Sequence, residues 1–217
     1  AGTFISASYS MDVAAGDFNN DGNFDFVISG NVGSLYMFSG TGDGSFVKSS
    51  LESLPNAGRG KDAADVDGDG NLDFVSGTSG SNLYLYRGNG DGTFKPRATI
   101  SYGFSDLYNV VLGDFNNDGY IDIVSVDSSG GGGVYFLPGR GDGTFAPQIF
   151  TGIDVNNHNA ADDFDVDGDG NNDIIITTYS TQTTLFLKGN GDGMFTNMGV
   201  ISPSNGQNRL GIGTPAK

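Results

Sequence analysis

The chain has 217 residues, a formal net charge of −16 at pH 7, 37 Gly and no Cys or Trp. This charge argues against nucleic acids and anionic membranes as partners, and no apolar run approaches the ~20 residues that insert across a bilayer. Glu52 is the only Glu among 26 acidic residues. Since Asp is a poorer helix former than Glu, the composition argues against a helical protein and indicates many turns.

Two motifs alternate along the chain. The first, D-x-[DN]-x-[DN]-G-x-x-D, begins at residues 17, 65, 114 and 165, and the second, G-x-G-D-G-x-F, begins at residues 40, 88, 139 and 189. Their spacing of 48 to 51 residues predicts four tandem repeats. We expect one repeat domain over residues 1–217, with repeats near 10–50, 58–100, 107–151 and 157–201 and a tail at 202–217.

A longer period is superimposed on these repeats. Repeats 1 and 3 share the letters DFNNDG in the first motif, whereas repeats 2 and 4 share DVDGDG. This alternation indicates that a block of two repeats was duplicated.

Each repeat contains apolar segments of strand length. The first run follows the acidic motif and the second follows a Gly/Ser-rich turn. A third strand is expected to open at the Phe of the second motif, and a last strand, such as 109–113, leads to the next acidic motif. The apolar runs are 24–28, 72–75, 121–126 and 174–176, then 35–38, 83–86, 134–137 and 185–187, and the opening residues are Phe46, Phe94, Phe145 and Phe195.

This pattern predicts an all-β fold. Near-continuous apolar runs are typical of strands that are buried on both faces, and four strands in every 48 to 51 residues are typical of the four-stranded antiparallel blades of a β-propeller. A β-solenoid is the alternative, but its coils are usually much shorter. The four blades either close a ring together or belong to a larger ring.

The acidic motif predicts a calcium site in each repeat. Hard oxygen donors at alternate positions of a curled loop select Ca²⁺, and the Gly at position 6 permits the bend. Without a cation the crowded carboxylates would repel one another. We expect four Ca²⁺ ions, held by side chains at positions 1, 3, 5 and 9 and by the carbonyl of position 7. These residues are Asp17, Asn19, Asp21, Asn23 and Asp25; Asp65, Asp67, Asp69, Asn71 and Asp73; Asp114, Asn116, Asp118, Tyr120 and Asp122; and Asp165, Asp167, Asp169, Asn171 and Asp173.

The four loops differ in charge. The loops of repeats 2 and 4 carry four carboxylates, whereas those of repeats 1 and 3 carry three, because Asn19 and Asn116 replace an Asp. Since the number of ligand charges tunes affinity, the sequence predicts that loops 2 and 4 fill first and that Asp67→Asn and Asp167→Asn weaken binding.

Segments such as GDFNNDGYIDIVSV and LPGRGDGTFAP resemble the FG-GAP/VCBS repeat family, which includes integrin α-subunit propellers and propeller lectins. The resemblance covers residues from about Thr3 to Phe195. It implies a β-propeller with calcium in the hairpin loop between the first two strands of each blade. The chain departs from the family in lacking the literal Phe-Gly and Gly-Ala-Pro signatures and in having four repeats where seven blades are usual.

The resemblance implies a secreted, non-catalytic binding module whose partner is a glycan, and the chain's start at Ala1 suits a processed or excised product. The alternatives are an integrin-like protein-adhesion module and an accessory domain of a secreted polysaccharide-degrading enzyme, and an oligomer is compatible with each. For ligand contact the sequence offers aromatic and amide residues in or near loops: Tyr102, Tyr108, Asn156, Asn157, His158 and Tyr179. Arg140, Gly141 and Asp142 spell an adhesion tripeptide, but they occupy the turn of the second motif.

Overall fold

In the computed structural model the described residues are 10–30, 33–53, 58–78, 80, 82–101, 107–127, 132–155, 158–178 and 183–203. Their secondary structure is all β: sixteen strands form four four-stranded antiparallel sheets, and no helix occurs within these ranges. Accordingly, no helix of the described part of the chain is long and apolar enough to cross a membrane. The predicted fold class, an all-β chain of β-propeller blades, is confirmed.

Each sheet corresponds to one sequence repeat, and its strands follow one another in chain order. Sheet 1 comprises β1 (Ser10–Gly16), β2 (Asp25–Gly30), β3 (Ser34–Gly40) and β4 (Phe46–Ser53). Sheet 2 comprises β5 (Gly58–Ala64), β6 (Asp73–Thr78), β7 (Asn82–Tyr86) and β8 (Ala98–Ser101). Sheet 3 comprises β9 (Leu107–Gly113), β10 (Asp122–Asp127), β11 (Gly133–Leu137) and β12 (Ile149–Asp154). Sheet 4 comprises β13 (His158–Phe164), β14 (Asp173–Thr178), β15 (Thr183–Gly189) and β16 (Phe195–Pro203).

The chain divides into two compact units, Ala1–Leu107 and Tyr108–Lys217. Each unit therefore contains one sheet with the DFNNDG motif and one with the DVDGDG motif, which is the two-repeat block that the sequence indicates. The assignment of residues 1–217 to a single repeat domain stays a prediction.

Each unit has an apolar core between its two sheets. The second strand of sheets 2, 3 and 4 is buried along its whole length, as the continuous apolar runs predict. In the first unit, Phe18 packs edge-on against Phe94, with ring centroids 5.7 Å apart. In the second unit, Phe115 packs in the same way against Phe195, with centroids 5.9 Å apart. In repeats 1 and 3, the second residue of the acidic motif thus joins its own sheet to the other sheet of its unit.

The strand that follows the second motif, which is the fourth strand of each sheet, differs between repeats. It opens at Phe46 and Phe195 in sheets 1 and 4 as predicted, but in sheets 2 and 3 Phe94 and Phe145 form only isolated bridges to Gly88 and Gly139. The strands there begin later because Pro96 and Pro147 stand two residues after the Phe, and proline has no N–H for the ladder. In repeats 1 and 4 the same position holds Lys48 and Asn197.

Lys61 is a buried cation in the first unit. It lies in β5, is 6% exposed, and its Nζ donates to Ser29 Oγ at 2.6 Å while its backbone N–H donates to Asp12 Oδ2 at 2.8 Å. Burial lowers the pKa of Lys61 to about 8, against the opposing attraction of Asp12. Val13 and Val110 occupy the corresponding place in repeats 1 and 3.

This lysine should make stability depend on pH. The pKa of an unfolded lysine is about 10.4, so between pH 8 and that value the unfolded state binds more protons than the folded state, and the free energy of unfolding rises with pH. We expect a rise of about 1–2 kcal/mol from pH 8 to about 9.5, measured by urea unfolding. Lys61→Met should abolish the rise, and equal pH slopes in the two proteins would contradict the assignment.

Candidate metal-binding loops

The acidic motifs form four loops, which we number by repeat: loop 1 (17–25), loop 2 (65–73), loop 3 (114–122) and loop 4 (165–173). Each connects the first two strands of its sheet, where the family resemblance places the metal site. The first Asp closes the loop, as in loop 1, where Asp17 Oδ1 accepts from the Asp21 N–H at 3.1 Å and Oδ2 from the Gly22 N–H at 2.8 Å. Gly22 has φ +84°, a left-handed conformation that glycine adopts without strain.

The ninth-position Asp is buried in every loop and accepts hydrogen bonds from two backbone N–H groups. In loop 2, Asp73 is fully buried, and its two oxygens accept the Val66 N–H at 3.0 Å and the Gly88 N–H at 2.8 Å. This Asp thus ties the acidic motif to the first Gly of the second motif. A Cβ on Gly88 would lie 2.2 Å from the Leu72 carbonyl oxygen, which explains the Gly at that position.

The ninth-position carboxylates place negative charge where it is poorly hydrated. Burial raises the pKa of Asp73 and of Asp122 to about 6, with smaller contributions from the neighbouring loop carboxylates. The hydrogen bonds that each receives from two backbone N–H groups oppose that rise. A cation bound among these groups would stabilise their ionised forms.

Loops 2 and 4 bring three carboxylates to one point. One ligand atom from each of Asp65, Asp67 and Asp73 lies within 4.8 Å of the others, and the same is true of Asp165, Asp167 and Asp173 in loop 4. The Asp67 side chain is 10% exposed, and its Oδ1 is buried without a hydrogen-bond partner. An orphaned buried carboxylate oxygen is costly, so the donor set fits a hard cation such as Ca²⁺.

The position-5 Asp receives donors of two kinds. Its Oδ1 accepts the position-7 N–H in all four loops, at 2.8 Å in loop 1 and 2.9 Å in loop 4. In loops 1 and 3 its Oδ2 accepts the side-chain amide of position 3: Asn19 Nδ2 donates to Asp21 at 3.1 Å and Asn116 Nδ2 to Asp118 at 2.9 Å. In loops 2 and 4 position 3 is an Asp, which has no such donor.

Cations from the chain supply the missing donor in loops 2 and 4. Lys95 Nζ lies 2.9 Å from Asp69 Oδ2 and 3.7 Å from Asp67 Oδ2, and Arg87 Nη1 lies 3.8 Å from the same Asp67 oxygen. In loop 4, Lys188 Nζ donates to Asp167 Oδ2 and lies 2.6 Å from Asp169 Oδ2.

Neighbouring loops within a unit are also linked. Asn20, at φ +57°, donates its amide to Asn71 Oδ1 at 3.0 Å, and Asn117 donates to Asn171 Oδ1 at 2.8 Å in the second unit. Each link runs from position 4 of one loop to position 7 of the next. No role for Asn20, Asn117, Arg87, Lys95 or Lys188 is predicted from the sequence. The alternation between repeats is the sequence signal that could have identified them. Position 4 of the acidic loop is Asn in repeats 1 and 3, whereas it is Gly68 and Gly168 in repeats 2 and 4, where the cations occur.

Most of the predicted ligand contacts lie outside the described residues. Tyr102, Asn156, Asn157 and Tyr179 lie outside them, and Tyr108 and His158 are placed only as backbone positions in β9 and β13.

The adhesion tripeptide is engaged within its own turn. Arg140 Nη1 donates to the Phe145 carbonyl at 2.8 Å, and Asp142 Oδ1 accepts the Thr144 N–H at 2.9 Å. The turn therefore accounts for the Arg140 and Asp142 side chains.

Comparison with known proteins places these loops in a family. The profile of the FG-GAP-like repeat matches residues 17–76 and 65–125, which together span about half of the chain. The chain belongs to the FG-GAP-like repeat family. Both matches to this family begin at the first Asp of an acidic loop and extend through the following acidic loop. No curated protein matches the chain.

Two solved structures share the FG-GAP-like chain's fold. A lectin from Agrocybe aegerita, described as recognising non-reducing terminal N-acetylglucosamine, aligns with 87% of this chain at 23% identity and a TM-score of 0.63. AofleA from Arthrobotrys oligospora aligns with 90% of this chain at 14% identity and a TM-score of 0.60. The chain spans about half the length of each, 51% and 57%, and at these identities the likeness concerns the fold.

Proposed function

We propose that this chain is a calcium-stabilised, extracellular β-propeller module that binds glycans and catalyses no reaction on them. The observation that carries the proposal is the shared fold with the Agrocybe aegerita lectin over 87% of this chain. Propeller folds group their connecting loops and repeat their clefts, and repeated sites suit ligands that are displayed in many copies.

Charge and chemistry support neutral sugars as the ligand class. With a net charge of −16, the surface disfavours anionic glycans. Among the described residues, Tyr120 is 48% exposed and its ring packs on Gly141, where a Cβ would lie 2.3 Å from the ring. A ring held on one face and open on the other can stack on a sugar. We add Tyr120 to Tyr102, Tyr108 and Tyr179 as a candidate contact.

The four acidic loops are the proposed calcium sites. Positions 1, 3, 5 and 9 and the carbonyl of position 7 would hold each ion, and the orphaned Asp67 Oδ1 and the three converging carboxylates of loops 2 and 4 support this assignment. Extracellular modules bind Ca²⁺ with Kd of about 10⁻⁴–10⁻³ M, a range that is populated only where calcium is about millimolar, which supports the extracellular assignment.

Glycan binding is tested by an array of neutral oligosaccharides in millimolar calcium, followed by isothermal titration with N-acetylglucosamine and its oligomers. We expect weak binding of monovalent sugar and binding at least about 10²-fold tighter to multivalent display. Tyr120→Ala should weaken binding without lowering the melting temperature, and Phe24→Ala, at a residue 77% exposed, is the matched aromatic control. Silence on every neutral glycan together with specific capture of an extracellular protein would favour the adhesion alternative.

A further inference from the structure

The positive side chains at the acidic loops follow the longer period of the sequence. The residue just before the second motif is Arg87 in repeat 2 and Lys188 in repeat 4, but Ser39 in repeat 1 and Pro138 in repeat 3. At this sequence position a cation is therefore present where position 3 of the acidic loop is Asp and absent where it is Asn. The fourth carboxylate and the cation are thus found in the same repeats.

The cations change the charge comparison between the loops. Loops 1 and 3 carry three carboxylates, a charge of −3. Loop 4 carries four, and Lys188, which contacts two of them, brings −4 to −3. Loop 2 also carries four, and Arg87 and Lys95 bring −4 to −2. With the cations of the described residues counted, neither loop 2 nor loop 4 is more negative than loops 1 and 3.

The geometry places these cations on the proposed metal ligands. Lys188 Nζ contacts Oδ2 of both Asp167 and Asp169, positions 3 and 5 of loop 4. Lys95 Nζ bridges the same two positions of loop 2, Asp67 and Asp69. An ammonium that occupies these oxygens competes with a divalent ion for the same lone pairs.

We propose that Lys188 in loop 4, and Lys95 with Arg87 in loop 2, are tethered counter-ions that hold the acidic loops in the absence of metal and lower their affinity for Ca²⁺. This inference rests on the proposed calcium sites and adds their regulation. It reverses the order of calcium filling that the number of carboxylates predicts. Loops 1 and 3 fill before loops 2 and 4, because in loops 1 and 3 an uncharged Asn amide bonds to the position-5 Asp in place of a cation.

The test is calcium titration of the whole chain by isothermal calorimetry, with thermal melting in EDTA as a second readout. Lys188→Met should tighten one class of site about fivefold to tenfold and should lower the melting temperature in EDTA by about 2–4 °C. Lys188→Arg should retain both wild-type values more closely, because it keeps the charge.

Two further variants separate a local effect from a general effect of charge. Lys48→Met removes a cation whose Nζ lies 3.7 Å from the Tyr36 ring centroid, and it should leave the calcium affinities unchanged. Val47→Lys adds a cation at the place that Lys95 occupies in repeat 2, at a residue 62% exposed, and it should weaken one of the tighter sites. Calcium binding that Lys188→Met leaves unaltered would overturn this inference alone, whereas absence of calcium binding by the wild-type chain would overturn the proposed function as well.

Discussion

Removing calcium is expected to lower the melting temperature of the chain by roughly 10 °C or more. At about millimolar calcium and a Kd near 0.1 mM, each site adds on the order of 1–2 kcal/mol by linkage. Four sites acting together therefore supply much of the 5–15 kcal/mol that a folded protein typically has, and each kcal/mol shifts the midpoint of a chain of this size by about 2–4 °C.

The measurement is a thermal melt followed by circular dichroism in millimolar calcium, in EDTA, and in EDTA followed by excess calcium. The final addition should restore the original midpoint. Magnesium at the same concentration is the control, because it demands a smaller octahedral site and gives up its water reluctantly, so it should restore little. Superimposable curves with calcium and with EDTA would eliminate calcium as a source of stability.

Replacing the ninth-position Asp is expected to destabilise the fold even without metal. Asp73 is fully buried and accepts hydrogen bonds from Val66 and Gly88, so Asp73→Ala leaves two buried N–H groups without a partner. Each such group costs about 1–3 kcal/mol. The free energy of unfolding in EDTA should therefore fall by about 2–6 kcal/mol, measured by urea unfolding.

The control for this substitution is another Asp with the same kind of bond. Asp91 accepts the Thr93 N–H at 2.9 Å in an exposed turn, where water can replace the carboxylate. Asp91→Ala should leave the urea midpoint nearly unchanged. Equal losses of unfolding free energy from Asp73→Ala and Asp91→Ala would show that the buried Asp73 carboxylate has no special part in the fold.

The sequence by itself determined the repeats, the sheets and the internal geometry of the loops. Their signals are local: apolar runs of strand length, and Gly at bends such as Gly22. Such features depend on side chains only a few residues apart, so a linear reading suffices. The predicted metal ligands remain predictions, although their clustering in loops 2 and 4 agrees with them.

The tertiary structure decided which side chains reach a loop from elsewhere in the chain. Asp73 bonds to Gly88 fifteen residues later, Lys95 reaches Asp69 from 26 residues away, and Asn20 reaches Asn71 across 51 residues. Carboxylate number along the sequence therefore misjudges the charge of loop 2. The physical reason is that a charge interaction depends on distance in space, and the packing of strands and sheets determines which charged groups lie close together.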